Sequence, residues 1–319
     1  MRASLETAVD IAGHAPSIHN SQPWRWRLEG SVLDLYTEHG RLLPVTDPDG
    51  RLATLSCGAA LHHVRTALAA EGWRVVVDRL PDPADPAHLA RLTITGTVPV
   101  TAAALREVQT IRMRRTDRRP VGGIPVDAEQ LRALTASAEA EGARLHILDR
   151  DGVLELAAAA SFAQRAEAAD ESWQAELAYW TGGTRPSGAG VPDAAIPASP
   201  TLTTVPSRDF GHTGTLPVGA EHDKAATFAI LYGDEDTPLG WLRAGEALSA
   251  TWLAATALGI SLLPMSATVE VAATRATLRR LLSDVGAPYL VVRLGHADPD
   301  HAGAPYPPRL PAEQLIERL

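Results

Sequence analysis

Two runs of this 319-residue chain gather side chains able to do chemistry against an Ala- and Leu-rich background. The first, Ala15-Pro16-Ser17-Ile18-His19-Asn20-Ser21-Gln22-Pro23-Trp24, sets hydroxyl and amide groups between two prolines. Proline fixes the backbone, so Ser17, Asn20 and Gln22 can meet a ligand with little further loss of entropy. The same run also reads as a capped turn with Trp24 in the core. The second, Arg112-Met113-Arg114-Arg115-Thr116-Asp117-Arg118-Arg119-Pro120, puts five arginines on a chain of net charge −9. A guanidinium fork grips phosphate bidentately, and Thr116 adds a hydroxyl donor. In extended backbone Arg114, Thr116 and Arg118 share one face, while Arg115, Asp117 and Arg119 take the other. A phosphate or pyrophosphate suits that face. The alternatives are a basic surface stretch and a nucleic-acid contact, the latter disfavoured by overall acidity and by the lack of interleaved aromatics. A third run, Tyr306-Pro307-Pro308-Arg309-Leu310-Pro311, either presents a lone arginine from a rigid extended segment or wraps the surface.

Other chemistries lack their residues. There is no G-x-G-x-x-G, Walker A, H-E-x-x-H or G-x-S-x-G pattern. Adjacent helical residues diverge, so His62 and His63 cannot face one metal. The single cysteine, Cys57, rules out an intramolecular disulfide and reads as a small core residue. The N-terminus lacks the apolar core of a signal peptide, and no stretch reaches the ~20 apolar residues of a membrane span. The expected protein is cytoplasmic, soluble and without a nucleic-acid or membrane partner.

The elements that must position these runs follow from periodicity and punctuation. Helices are expected over Leu5–Ala15, Leu52–Glu71, Thr101–Arg112, Asp127–Gly142 (with Asp127 and Gln130 as a capping box), Leu154–Tyr179 and Leu239–Leu258. Strands are expected over Trp24–Leu28, Val32–Thr37, Arg74–Asp78, Leu92–Thr95, Arg144–Leu148, Phe228–Tyr232 and Tyr289–Leu294. The two long helices share one frame: Gly58 and Gly72 match Gly245 and Gly259 at an offset of 187, as Leu55 and Leu61 match Leu242 and Leu248. Each ends in glycine and runs into a strand, which points to internal duplication. The Gly-, Pro- and Thr-rich stretch from about 181 to 219 has no period. It reads as a functional lid or a disordered insertion, with Ile196, Leu202, Val205 and Phe210 available for packing.

Taken together the runs resemble the FMN-dependent nitroreductases. Pro16-Ser17-Ile18-His19-Asn20-Ser21-Gln22-Pro23-Trp24 is similar to their P-S-x-x-N-x-Q-P-W signature, Arg114-Arg115-Thr116-Asp117-Arg118 to their R-x-S-x-R/K run, Leu294-Gly295-His296 to their L-G-H, and Arg309-Leu310-Pro311 to their closing R-L-P. Gly259–Ser266 resembles the segment that passes the flavin N5 edge. In ordinary members R-x-S-x-R precedes P-S-x-x-N within one subunit. Here the order is reversed, one motif in each half, which resembles the Acg subgroup of actinobacteria. Members of that subgroup carry a lid over the flavin.

The resemblance implies an α+β, nitroreductase-like fold: two fused halves, 1–100 and 101–319, forming a pseudo-dimer around antiparallel-type central sheets, with the lid inserted at about 181–219. It implies one complete FMN site. Arg114 and Arg309 would bind the phosphate, Thr116 the ribityl chain, and Arg118 would sit near N1 and the C2 carbonyl. Pro16, Ser17, Asn20 and Gln22 would reach across from the first half, and Pro264, Met265, Ser266 and Ala267 would pass N5. The departures are Ser266-Ala267 where Glu-Gly is usual, and Pro307 where a lysine is usual. The expected activity is reduction of a nitroaromatic or quinone by NAD(P)H, in a monomer or homodimer. The alternative is a flavin-holding protein whose lid suppresses turnover.

Overall fold

A computed structural model describes residues 1–181, 185, 187–219, 222–297 and 304–318. Helix α1 (Arg2–Ala12) leads through a turn to the hairpin β1 (Trp24–Glu29) and β2 (Val32–Thr37), then to α2 (Arg51–Ala70), β3 (Trp73–Arg79) and β4 (His88–Thr97). After α3 (Ala102–Met113) come α4 (Ala128–Ala140), β5 (Arg144–Ile147), α5 (Arg150–Ala168), α6 (Glu171–Thr181), β6 (Thr227–Gly233), α7 (Pro238–Ala257), β7 (Ile260–Met265), α8 (Ala267–Glu270), α9 (Ala272–Leu281), β8 (Ala287–His296) and β9 (Ile316–Arg318).

The strands form two sheets of the same plan. One has the order β3-β4-β2-β1-β9 and the other β7-β8-β6-β5, read from the corresponding edge. All pairs are antiparallel except β1 with β9, where Trp26 faces Ile316. Helices α2 and α7 begin, end and hand over to their strands at the same offset of 187 seen in the sequence. Gly72 and Gly259 close them with φ of +79° and +71°, a left-handed conformation that glycine alone adopts freely. The helix starts are secured differently. The Asp47 carboxylate accepts from Ala53 N–H at 2.8 Å, while Thr237 accepts from Gly240 N–H at 3.2 Å beside Pro238.

The two long helices cross where Gly58 meets Gly245. A Cβ on Gly58 would lie 2.0 Å from the Leu242 carbonyl oxygen, and one on Gly245 would lie 1.9 Å from that of Leu55. Each position is thus packed on the counterpart of its own neighbour, as an approximate two-fold axis through the crossing requires. His62 Nδ1 lies 2.9 Å from Ser249 Oγ, another pair at the same offset. Two apolar clusters flank this axis, one under each sheet, with Leu52, Leu55 and Leu248 in one and Leu61, Leu242 and Leu253 in the other.

The halves differ in their connections. Gly13 to Pro23 link α1 to β1, whereas Glu141 to Ala143 alone link α4 to β5. Gly30 and Ser31 join β1 to β2, whereas 148–226 lie between β5 and β6. That insertion corrects one expectation: Leu154–Tyr179 is two helices, because the chain breaks at Asp170, whose carboxylate accepts from Ser172 and Trp173 N–H to start α6. The first helix also stops at Ala12, short of Ala15. Within 181–219, Ile196, Val205 and Phe210 are buried as expected, but Leu202 is 58% exposed. Residues 182–184 and 186 of that stretch lie outside the described residues. Among the described residues no helix is long and apolar enough to cross a membrane, and no group of His, Cys, Asp or Glu is arranged to hold a metal ion.

Candidate functional site

The two chemical runs meet in one cavity. Its empty space, open mouth included, is about 1400 Å³, and a cleft lined by apolar walls with a few convergent polar groups is the usual form of a ligand site. Its walls come from both halves: Pro16 to Asn20 after α1, Leu52, Leu55 and Ser56 on α2, Leu248 and Trp252 on α7, and Leu263 to Thr268 across the β7–α8 junction. Arg114, Thr116 and Arg118 line it on one side of their extended strand. Their neighbours turn away, Arg115 to the Ala304 carbonyl and Tyr306 hydroxyl, and Asp117 to Arg119 at 2.6 Å. The alternation read from the sequence is the one observed. Arg309 arrives from the other end of the chain because β9 pairs with β1.

Eleven of the twelve expected residues line this cavity; Gln22 does not. Gln22 lies fully buried behind the wall, where its amide donates to the Gly188 carbonyl at 2.8 Å and accepts from Leu310 N–H at 3.0 Å. Its role is to tie the first half to both the inserted stretch and the closing segment. Asn20 does similar work, donating to the Gly190 and Pro308 carbonyls at 3.0 and 2.9 Å and accepting from Arg309. His19, Asn20 and Gln22 all take positive φ, between 45° and 54°. This is strain that only a heavily cross-linked turn sustains.

The electrostatics divide the cavity into two ends. At one, Arg114 Nη2 and Arg309 Nη2 donate to the same His14 carbonyl oxygen at 3.0 and 3.1 Å. Arg114 is 4% exposed, and its Nε and Nη1 have no partner among the described residues. Burial, then the neighbouring Arg309, lowers Arg114 to about 9, and burial lowers Arg309 to about 10. Behind them His63 is buried and held neutral, by burial first and by Arg114 next. At the other end Arg118 donates to the Ala195 carbonyl at 3.0 Å and lies over the Phe210 ring at 5.1 Å. Burial, then Arg208, lowers it to about 10.

Arg208, Phe210, His19 and Trp252 are not among the site residues expected from the sequence, although all line the cavity. His19 stood within the first motif, but at a position whose type that pattern leaves free. Arg208 stands in the aperiodic stretch and is buried between two carboxylates, Glu167 at 3.1 Å and Glu270 at 2.6 Å, with Ser266 Oγ at 3.4 Å. Burial, reinforced by Glu270, pushes Glu167 up to about 7 against the pull of Arg208. No local signal marks Arg208, because its partners are 41 and 62 residues away.

The first half differs at the corresponding place. At the offset of 187, Trp252 corresponds to Arg65 on α2. Arg65 donates to Glu141 and Glu246 at 2.6 and 2.7 Å, and Arg79 grips the fully buried Glu246 at 2.7 and 2.8 Å. An ionic cluster stands at the position that corresponds to Trp252.

No family model matches the chain. A Mycobacterium tuberculosis protein provisionally named an NAD(P)H nitroreductase is 36% identical over 324 residues, spanning 98% of this chain and 91% of that protein. A second from the same organism, provisionally named NAD(P)H nitroreductase acg, is 34% identical over 317 residues, spanning 98% and 95%. The chain belongs to the Acg-type nitroreductases. Among solved structures, a nitroreductase with bound FMN from Desulfitobacterium hafniense aligns at 17% identity and a TM-score of 0.41, over 67% of this chain and 98% of that one. Against that family background the reversed motif order has a structural counterpart. The α1–β1 turn carries P-S-x-x-N, and the shorter α4–β5 link has no room for it.

Proposed function

We propose that the cavity binds one FMN per chain and that the protein is an NAD(P)H-dependent oxidoreductase for a small acceptor of nitroaromatic or quinone type. One observation carries this reading. Arg114 and Arg309 are brought together on a single carbonyl oxygen with no carboxylate partner among the described residues. Burying uncompensated cations costs several kcal/mol each, and a phosphate dianion supplies what both lack. The residues fit the rest of that group as well. Thr116 and Ser17 offer hydroxyls, Leu55 and Leu248 offer apolar walls, and Arg118 offers charge at the other end, with the Ser266 hydroxyl beside Arg208. FMN, when bound, takes hydride from NAD(P)H and passes electrons to the acceptor. The chain's own part is to hold the phosphate, keep positive charge near the ring's pyrimidine side, and exclude water.

The halves 1–100 and 101–319 then contribute one motif each, and the cluster of Arg65, Arg79, Glu141 and Glu246 accounts for a single site. Residues 187–219 act as the lid. A second reading, a flavin-holding protein with slow turnover, is favoured by Arg208 and Phe210, which carry this stretch into the cavity wall. A visible spectrum of the purified protein tests the shared premise: a colourless preparation that takes up no FMN refutes both readings. Anaerobic mixing with NADH or NADPH separates them. Rapid bleaching supports the reductase, and a flavin that dithionite reduces but the nicotinamides do not supports the holder.

A further inference from the structure

We infer that Trp252 is a positioning residue for the phosphate end of the cavity, holding Arg114 so that its free donors face an incoming phosphomonoester; the inference rests on the FMN reading above. Trp252 is 1% exposed on α7, and the Arg114 guanidinium carbon lies 4.4 Å above its ring. A guanidinium stacked on an indole uses its flat face, leaving the in-plane N–H edges free to bind. Of those edges, Nη2 is taken by the His14 carbonyl, whereas Nε and Nη1 have no partner among the described residues.

The two arginines at this end are secured by different means. Arg309 is fixed by hydrogen bonds to both Asn20 and the His14 carbonyl. Arg114 has one such bond and the stack. Without the indole its side chain would regain rotamers, and a bidentate contact would have to be ordered afresh on binding. The other half supplies an independent observation. At the position corresponding to Trp252 stands Arg65, which spends its charge on Glu141 and Glu246. Of the two corresponding positions, the aromatic platform is present at the one that lines the cavity.

The test compares FMN with riboflavin, which lacks the phosphate, on full-length protein stripped of flavin and reloaded, by fluorescence titration. Trp252→Leu is expected to weaken FMN about 10- to 30-fold, the worth of a buried cation–π contact, and riboflavin less than about threefold. Trp252→Phe is expected to restore most of the difference. Equal losses for both flavins would overturn the inference, since Trp252 would then be only a wall of the cavity. Wild-type protein that binds neither flavin would instead overturn the FMN reading. If Trp252→Leu does not fold, Trp252→Met, which keeps bulk but removes the ring, Arg114→Lys and their combination form a cycle on the FMN-to-riboflavin ratio. Coupled effects support the inference, and additive ones overturn it.

Discussion

Replacing Gly58 or Gly245 by alanine ordinarily favours a helix by about 1 kcal/mol. At this crossing the sign reverses. The new methyl would lie 2.0 Å or 1.9 Å from a carbonyl oxygen of the facing helix, where contacts under 3.0 Å are essentially never seen. The obstructing atom is backbone, so no rotamer change relieves it, and α2 and α7 must part by about 1 Å. A gap of that size forfeits roughly a quarter to a half of each dispersion contact along the seam, and overpacking of this kind costs about 1–3 kcal/mol or more. We expect each single substitution to destabilise by about 1–2 kcal/mol net of the propensity gain. The double variant should cost at least about 1 kcal/mol less than the sum, because the first separation makes room for the second methyl. Urea unfolding of the full chain, followed by circular dichroism, measures all three. A single variant as stable as wild type, or strictly additive losses, would refute the closely packed two-fold crossing.

Further outcomes follow from the charges. Arg114→Met should lower FMN affinity about 10- to 100-fold, the worth of charge-assisted hydrogen bonds, yet leave the flavin-free protein equally or more stable in a thermal melt, because it removes a buried unpaired cation. Arg208→Met should release 187–219 from Glu167 and Glu270, seen as faster proteolysis of that stretch and faster flavin reduction by NADPH; unchanged rates of both would contradict a lid held there. Glu167 is raised to about 7, so the folded state holds its proton more tightly than the unfolded chain, and stability contributed by the protonated form is lost as pH rises from about 5 through 7. Glu167→Gln should flatten that slope in melts taken across the window, and a slope equal to wild type would show that another group sets it.

Local patterns in the sequence proved sufficient where the physics was local. Alternation along Arg114–Arg119 put the right three side chains on one face, and the Asp127–Gln130 capping box forms as spaced. The shared glycine frame gave the register of α2 and α7, since a helix ending in a left-handed residue needs glycine there. Contacts between distant segments carried no such mark. Three-residue β9 is too short to show a period, and its parallel pairing with β1 is set by tertiary context. The break at Asp170 was hidden because Ala and Glu favour helix on both sides of it. Gln22 matched a motif by type, but its place behind the wall depends on Gly188 and Leu310.

The bond between Asn20 and Arg309 spans 289 residues. During synthesis the first half's sheet, its β1 edge bare, has to wait for nearly the whole chain before its last strand and the second arginine of the cavity's buried pair arrive. Cofactor capture is therefore a late event by design of the topology. A chain interrupted between residues 296 and 309 would carry the first motif, and most of the walls, without Arg309 to complete them.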